Sequence, residues 1–185
     1  MVKKENQRIA LTKQLLQDGL VRLLEQKNLD CISVTELCRE AGINRATFYN
    51  HYSSPQDLLT DMEYRIRMDL EALIQNGSSR EDLVLQTEAI CTYMKDHANL
   101  MIILTRCHAD DDLADIFNKL EKRFISQHRD AISATQLDTA SIHLVSTFLY
   151  TGSYYMIREW LLRDIQKTPR EVAELVLSFI SKKYL

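Results

Sequence analysis

The sequence predicts an all-α protein in two parts, a short N-terminal helical module over residues 1–60 and a larger C-terminal helical domain over 61–185. Three observations carry that prediction. The 185 residues include only 4 Gly and 2 Pro, so turns are few and long helices are favoured over many short strands. Apolar residues recur at spacings of three and four along most of the chain, with no strand-like alternation, internal repeat or low-complexity run. Helix-start signals, in which Ser, Thr or Asn stands before an apolar run, punctuate the chain at intervals of one helix.

Ile9, Leu16, Leu20, Leu23 and Leu24 mark a first helix from about Gln7 to Lys27, ended by Asn28 and Asp30. Gly19 stands inside it. A mid-helix Gly costs about 1 kcal/mol against Ala, which points to a second helix passing close by. Ser33-Val34-Thr35-Glu36 is a capping box: the Ser33 hydroxyl accepts from the Glu36 amide and the Glu36 carboxylate reaches back. A short helix, Val34 to Glu40, then turns Val34, Leu37, Cys38 and Ala41 inward. Gly42 supplies the left-handed position that closes it. Asn44 caps another short helix, Arg45 to His51, with Phe48 and Tyr52 on one side. Ser54-Pro55-Gln56-Asp57 opens a long helix to about Gln75, with Pro in the first helical position. The stretch Asn76-Gly77-Ser78-Ser79 breaks it. Further helices are expected at about 80–97, 99–107, 111–131, 136–164 and 168–183, the last opened by a Thr168-Pro169-Arg170-Glu171 capping box.

Composition narrows the function. The net charge of -3 argues against coating nucleic acid without sequence preference, yet leaves a local DNA-binding face open. Residues 1–60 carry 8 bases and 7 acids, the remainder 15 bases and 19 acids, so the N-terminal part is the more basic by a small margin. The four cysteines, Cys31, Cys38, Cys91 and Cys107, form no CxxC pair and no disulfide framework, which fits a reducing cytoplasm. The N-terminus has no apolar signal core. Thr139 to Ile157 is uncharged and long enough to span a bilayer. Its Thr, Ser and His content favours instead a helix covered by protein on several sides. No glycine-rich phosphate loop, GxSxG, HExxH or paired-carboxylate spacing is present, so no enzyme and no cofactor are expected. Cys107-His108-Ala109-Asp110-Asp111-Asp112 fits no zinc spacing.

The segment Ile32 to Leu58 reads as helix, tight Gly turn, helix. In that geometry a second helix enters the DNA major groove while the first braces the backbone. The segment also resembles the TetR family of one-component regulators. The resemblance lies in Ser33-Val34, Glu36-Leu37-Cys38, Ala41-Gly42-Ile43, Thr47-Phe48-Tyr49, His51-Tyr52 and Asp57-Leu58. It covers about the first third of the chain, and the ending is similar to the family's two long dimerisation helices. It implies that double-stranded DNA is bound by Arg45, Ala46, Thr47, Tyr49, Asn50 and His51, and Thr35, in the first turn of the bracing helix, is a further expected contact beside free amides. In chemical terms, Arg45 forks onto guanine, Asn50 pairs with adenine, the Thr47 methyl meets a thymine methyl, and Tyr49, His51 and Thr35 donate to phosphates. Lys3, Lys4 and Arg8 are placed to act as a flexible arm. Two positions depart from the family pattern: Pro55 stands where Lys is usual, removing a phosphate contact, and Cys38 replaces the usual Ala.

The C-terminal half is expected to dimerise and to sense. Val145, Phe148, Gly152 and Tyr155, with Val172, Val176 and Phe179, repeat at helical spacing and suit a four-helix interface about a two-fold axis. The alternative is that both stripes pack within one subunit. Tyr93, Met94, Leu104, Phe117, His143, Tyr150 and Tyr154 belong to a region rich in adaptable side chains, also including Met101 and Met156, that suits a small-molecule effector pocket. The sum is a homodimeric, ligand-responsive DNA-binding regulator, with repression the family's common mode and no membrane association. The competing reading is a helical interaction protein or co-activator of the same fold that works through a protein partner.

Overall fold

The computed structural model describes residues 2–73, 79–106 and 138–179. Among them are eight α-helices, one 3-10 turn and no strand. The helices are α1 (Val2–Leu24), α2 (Val34–Ala41), α3 (Arg45–Tyr49), α4 (Pro55–Leu73), α5 (Arg80–Asp96), α6 (Ala98–Arg106), α7 (Thr139–Leu162) and α8 (Pro169–Ser178), with the 3-10 turn at Leu29–Cys31. The all-α expectation holds. The helix expected over 111–131, residue Phe117, the Cys107–Asp112 cluster and the break at Asn76-Gly77-Ser78 lie outside the described residues.

One correction concerns the N-terminus. α1 begins at Val2, so Lys3, Lys4 and Arg8 belong to a helix and not to a flexible arm. No Gly or Pro interrupts residues 2–18, and adding a residue to an existing helix costs little beyond its propensity.

Contacts cluster into two units, and the division falls inside α4 between Ile66 and Arg67 and inside α6 between Ile102 and Ile103. In the first unit α1 packs on α2, and α2 on α3. Leu16 and Leu20 of α1, Leu37 and Cys38 of α2, Phe48 of α3, and Leu58 and Met62 of α4 are buried. Each buried Leu, Phe or Met side chain among them contributes about 1.5–3 kcal/mol against exposure. Gly19 is at the α1–α2 crossing. A Cβ there would lie 3.1 Å from the Ala41 Cβ and 3.3 Å from the Ala41 Cα and N. The glycine therefore lets two backbones approach, as its mid-helix position suggested.

Local caps position α2 and α3. The Ser33 hydroxyl accepts from the Glu36 amide at 3.2 Å, but the expected capping box forms only by half. The Glu36 carboxylate turns to Lys27 instead, and that charge-assisted bond, the largest cause, holds its carboxyl below the usual range. Gly42 closes α2 in the left-handed region (φ 66, ψ 26), with the Ile43 amide donating to the Cys38 carbonyl at 2.9 Å. Asn44 caps α3, its side chain accepting from the Ala46 amide at 2.8 Å.

In the second unit α5 packs chiefly on α8, and α7 touches both. Val84, Ile90, Cys91 and Met94 of α5 meet a core completed by Tyr154, Ile157 and Trp160 of α7 and Val172, Ala173, Val176 and Leu177 of α8. Both expected box partners are present at the start of α8: Thr168 accepts from the Glu171 amide and Glu171 from the Thr168 amide. Arg170 adds ion pairs to Glu81 and Glu88 of α5 at 3.0 and 3.1 Å. On α7, Ser146, Tyr154, Ile157 and Trp160 are buried while Leu144, Val145, Phe148 and Tyr155 are exposed, so among the described residues the helix is not enclosed on several sides as expected. Among the described residues no helix is long and apolar enough to cross a membrane.

Candidate nucleic-acid interface

α3 has five residues, so its two faces are set by the few side chains it carries. Phe48 is fully buried, and Tyr52 is 4% exposed, their ring centroids 6.1 Å apart. These two pin the inner face. Arg45, Ala46, Tyr49 and Asn50 are exposed, Tyr49 to 52%. Offsets of one, four and five residues place them on one continuous outward strip of helix. Thr47 and His51 are half-buried at its edges, and Thr35 is exposed in the first turn of α2. Six of the seven expected DNA contacts are thus gathered along α3 and its exit, while Thr35 stands on the neighbouring helix.

The local electrostatics favour Arg45 as the reading side chain. Lys27 is paired with Glu36, and Arg22 with Glu40 at 2.6 Å. Arg45 forms no ion pair among the described residues. Burial pushes the Cys38 thiol up, while the Arg45 charge pulls it down. Cys38 is therefore a neutral core group beneath the surface α3 presents. Pro55 is buried at the start of α4 and brings neither charge nor amide to that surface. The Ser54 hydroxyl there accepts from the Asp57 amide at 3.1 Å, and the Asp57 carboxylate accepts from the Ser53 amide at 2.8 Å.

One cluster was not foreseen. The Tyr52 hydroxyl donates to Asp61 Oδ2 at 2.7 Å. The same oxygen lies 3.5 Å from Lys13 Nζ of α1 and 3.3 Å from Arg65 Nη2 of α4. The Lys13 ammonium also stands 5.1 Å from the centre of the Tyr52 ring. Of these contacts only Asp61–Arg65, four apart on one helix, carries a sequence signal.

The regulatory candidates are dispersed. Met94 and Tyr154 are packed in the core of the second unit, whereas Leu104 is buried in the first. Tyr93 is half-buried, its hydroxyl donating to Asp69 at 2.9 Å and its ring stacked on His97 at 4.3 Å. His143 is exposed and Tyr150 half-buried on α7. The dimerisation candidates separate into two groups. Val145, Phe148, Gly152 and Tyr155 share the open side of α7 with Leu144, Phe148 at 75% exposure, and a Cβ on Gly152 would meet nothing within 4 Å. Phe179 is exposed as well. Val172 and Val176 are not surface residues: at 2% and 5% exposure their stripe is covered by the chain's own α5, because α8 turns its most apolar face onto that helix.

Comparison with known proteins accords with this geometry. Residues 16–62 match the family described as bacterial regulatory proteins, tetR family, and residues 81–182 match the transcriptional regulator C-terminal region of the same group. The HTH-type transcriptional regulator YxbF of Bacillus subtilis (strain 168) is 25% identical over 189 residues, covering 98% of this chain and 48% of its own. The chain thus spans about half the length of that relative. Among solved structures, the fatty acid degradation regulator FadR from Bacillus halodurans superposes with a TM-score of 0.67 at 13% identity, over 91% of this chain and 94% of that one. A TetR transcriptional regulator from Streptococcus agalactiae 2603V gives 0.65 at 17% identity, over 98% and 100%. The C-terminal match alone spans more than half of the sequence. The chain belongs to the TetR family of transcriptional regulators.

Proposed function

We propose that the chain is a homodimeric, sequence-specific DNA-binding repressor that acts on a palindromic operator and responds to a small-molecule effector, with 1–60 as the DNA module and 61–185 as the regulatory domain. The observation that carries the DNA part is the outward strip of α3, where Arg45, Ala46, Tyr49 and Asn50 are exposed over a fully seated Phe48. Arg45 and Asn50 suit base edges. Tyr49, His51 and Thr35 suit phosphate oxygens.

Dimerisation is supported by the open apolar side of α7. Leu144 at 69% and Phe148 at 75% are large hydrophobic groups on one contiguous stripe, a feature that marks an interaction surface. A second copy of α7 fits it, since Gly152 permits a close crossing. Two modules related by a two-fold axis read two half-sites in inverted repeat. An effector in the second unit then acts by favouring one spacing of the recognition helices over another. A similar fold is recorded for a dihydroxyacetone kinase operon activator, DhaS, with a TM-score of 0.58. That likeness concerns the fold alone; Pro55, which brings neither charge nor amide to the α3 surface, favours as second reading a co-activator that works through a protein partner.

Selection of sites from a random DNA pool with purified protein, alongside Arg45→Ala and Tyr49→Phe, tests the proposal. A two-fold-symmetric site is expected, with Arg45→Ala relaxing one position in each half by about 1–3 kcal/mol of discrimination. Failure to enrich any site at low salt, with and without candidate effectors, would leave the protein-partner reading.

A further inference from the structure

We propose that Asp61 is a positioning residue for DNA recognition: it holds the exit of α3 through the Tyr52 hydroxyl and ties that exit to α1 and α4 through Lys13 and Arg65. The inference rests on the DNA-binding reading above and adds to it the residue that aims the helix.

Tyr52 is continuous with α3. Its amide donates to the Phe48 carbonyl at 3.0 Å, and its ring packs against the Phe48 ring. Backbone and ring of Tyr52 are thus both tied to Phe48, whose turn presents Tyr49 and Asn50. The Tyr52 ring is almost wholly buried, and a buried hydroxyl without an acceptor is costly. Asp61 supplies the acceptor at 2.7 Å, a charge-assisted bond with narrow directional tolerance. The carboxylate is itself fixed from two sides by Lys13 and Arg65. Three elements thus meet at one oxygen, hydrogen-bonded to the residue that follows the exit of α3. Bidentate contacts to bases hold only while the side chains stay within roughly 0.5 Å and 10–20° of their working geometry. A loosened exit therefore weakens reading of the correct site more than the general attraction to DNA.

The charge balance gives the test opposite signs. Asp61 faces two cations, so Asp61→Asn leaves Lys13 and Arg65 less neutralised. On charge alone, that change strengthens binding to any duplex. As the loss of a positioning bond, it weakens binding to the operator. The full-length wild type, Tyr52→Phe, Asp61→Asn and the double variant are titrated against the selected operator and a scrambled duplex of equal length, over a salt series. Thermal unfolding first confirms that each is folded at the assay temperature. Tyr52→Phe keeps the ring and the packing, so it carries the test even if Asp61→Asn fails to fold.

The expected result is a loss of about tenfold in operator affinity for each single variant, the worth of about 1.4 kcal/mol. Affinity for the scrambled duplex stays within about twofold, and is not lowered in Asp61→Asn. The double variant is no worse than Asp61→Asn, because both remove the same connection. An unchanged operator-to-scrambled ratio in Tyr52→Phe overturns the proposal, as do two effects that multiply in the double variant. Wild-type protein that binds both duplexes equally overturns the DNA-recognition reading itself, a result the variants play no part in.

Discussion

Replacing Gly19 by Ala sets two physical terms directly against each other. Within α1 the substitution is favourable, since Ala is the better helix former by about 1 kcal/mol. Across the α1–α2 crossing it is unfavourable. The new Cβ would lie 3.1 Å from the Ala41 Cβ and 3.3 Å from the Ala41 Cα and N, and two of those three atoms are backbone that no rotamer change can move. The helices must separate by a few tenths of an ångström, and overpacking of this kind costs about 1–3 kcal/mol. The clash is expected to win, leaving a net destabilisation of about 1 kcal/mol, or a fall in Tm of roughly 2–4 °C for a chain of this size. Thermal unfolding followed by far-UV circular dichroism reads it, since the only tryptophan, Trp160, reports on the other unit. Ala41→Gly removes the nearest contact, so Gly19→Ala is expected to cost less in that background, with a coupling of about 0.5 kcal/mol or more. A Gly19→Ala protein more stable than wild type by the full helix-propensity gain would refute the close crossing.

Two further outcomes follow from the second unit. Phe148→Glu is expected to shift a homodimer to monomer at micromolar concentration while leaving the circular dichroism unchanged, because the side chain is 75% exposed in the single chain; sedimentation velocity decides, and an unaltered assembly removes α7 as the interface. Burial, with Glu88 adding to it, pushes the Cys91 thiol from 9.0 up to about 12. The unfolded thiol ionises first, so the stability this group contributes is full below pH 9 and lost between pH 9 and 12. The phenols of the buried Tyr52 and the half-buried Tyr93, raised chiefly by desolvation, act in the same direction. Urea midpoints at pH 8 and 10.5 should therefore fall less between the two pH values in Cys91→Ala than in wild type, and equal falls would count against a titrating Cys91.

What was legible in the sequence was what is decided within about four residues. Ser33, Asn44, Ser79 and Thr168 each accept from an amide two or three residues on, and a cap of that kind needs no knowledge of the rest of the fold. Gly42 belongs to the same class. Even here a distant partner can intervene: Glu36 stands three after Ser33, as a capping box requires, but Lys27, nine residues before it, offers a full charge where Ser33 offers a neutral amide. The outward strip of α3 was readable because a five-residue helix with one large apolar side chain has little choice about which side faces in.

The Asp61 cluster could not be read in the same way. Tyr52 and Asp61 are separated by a turn and by the first residues of α4, and Lys13 is 48 residues from Asp61. Their meeting depends on how three helices cross, which spacing alone does not encode. The same limit explains the dimerisation stripe. Val145, Phe148 and Tyr155 on α7 and Val172 and Val176 on α8 have equivalent periodicity, and nothing in either pattern says which stripe the chain covers by itself. α8 is amphipathic, and its Arg170, beside the apolar face, pairs with Glu81 and Glu88 of α5 and with Glu174 of its own helix. That orientation commits Val172 and Val176 to the interior. α7 has no charged residue before Arg158 to set one side against the other in this way. Its Tyr154, Ile157 and Trp160 enter the core, and the equally apolar Leu144 and Phe148 are left outside. A helix whose apolar surface exceeds what its own subunit can cover is the one that gains most from a second copy. For that reason the proposed interface is placed on α7, and on α8 only at its exposed end beside Phe179.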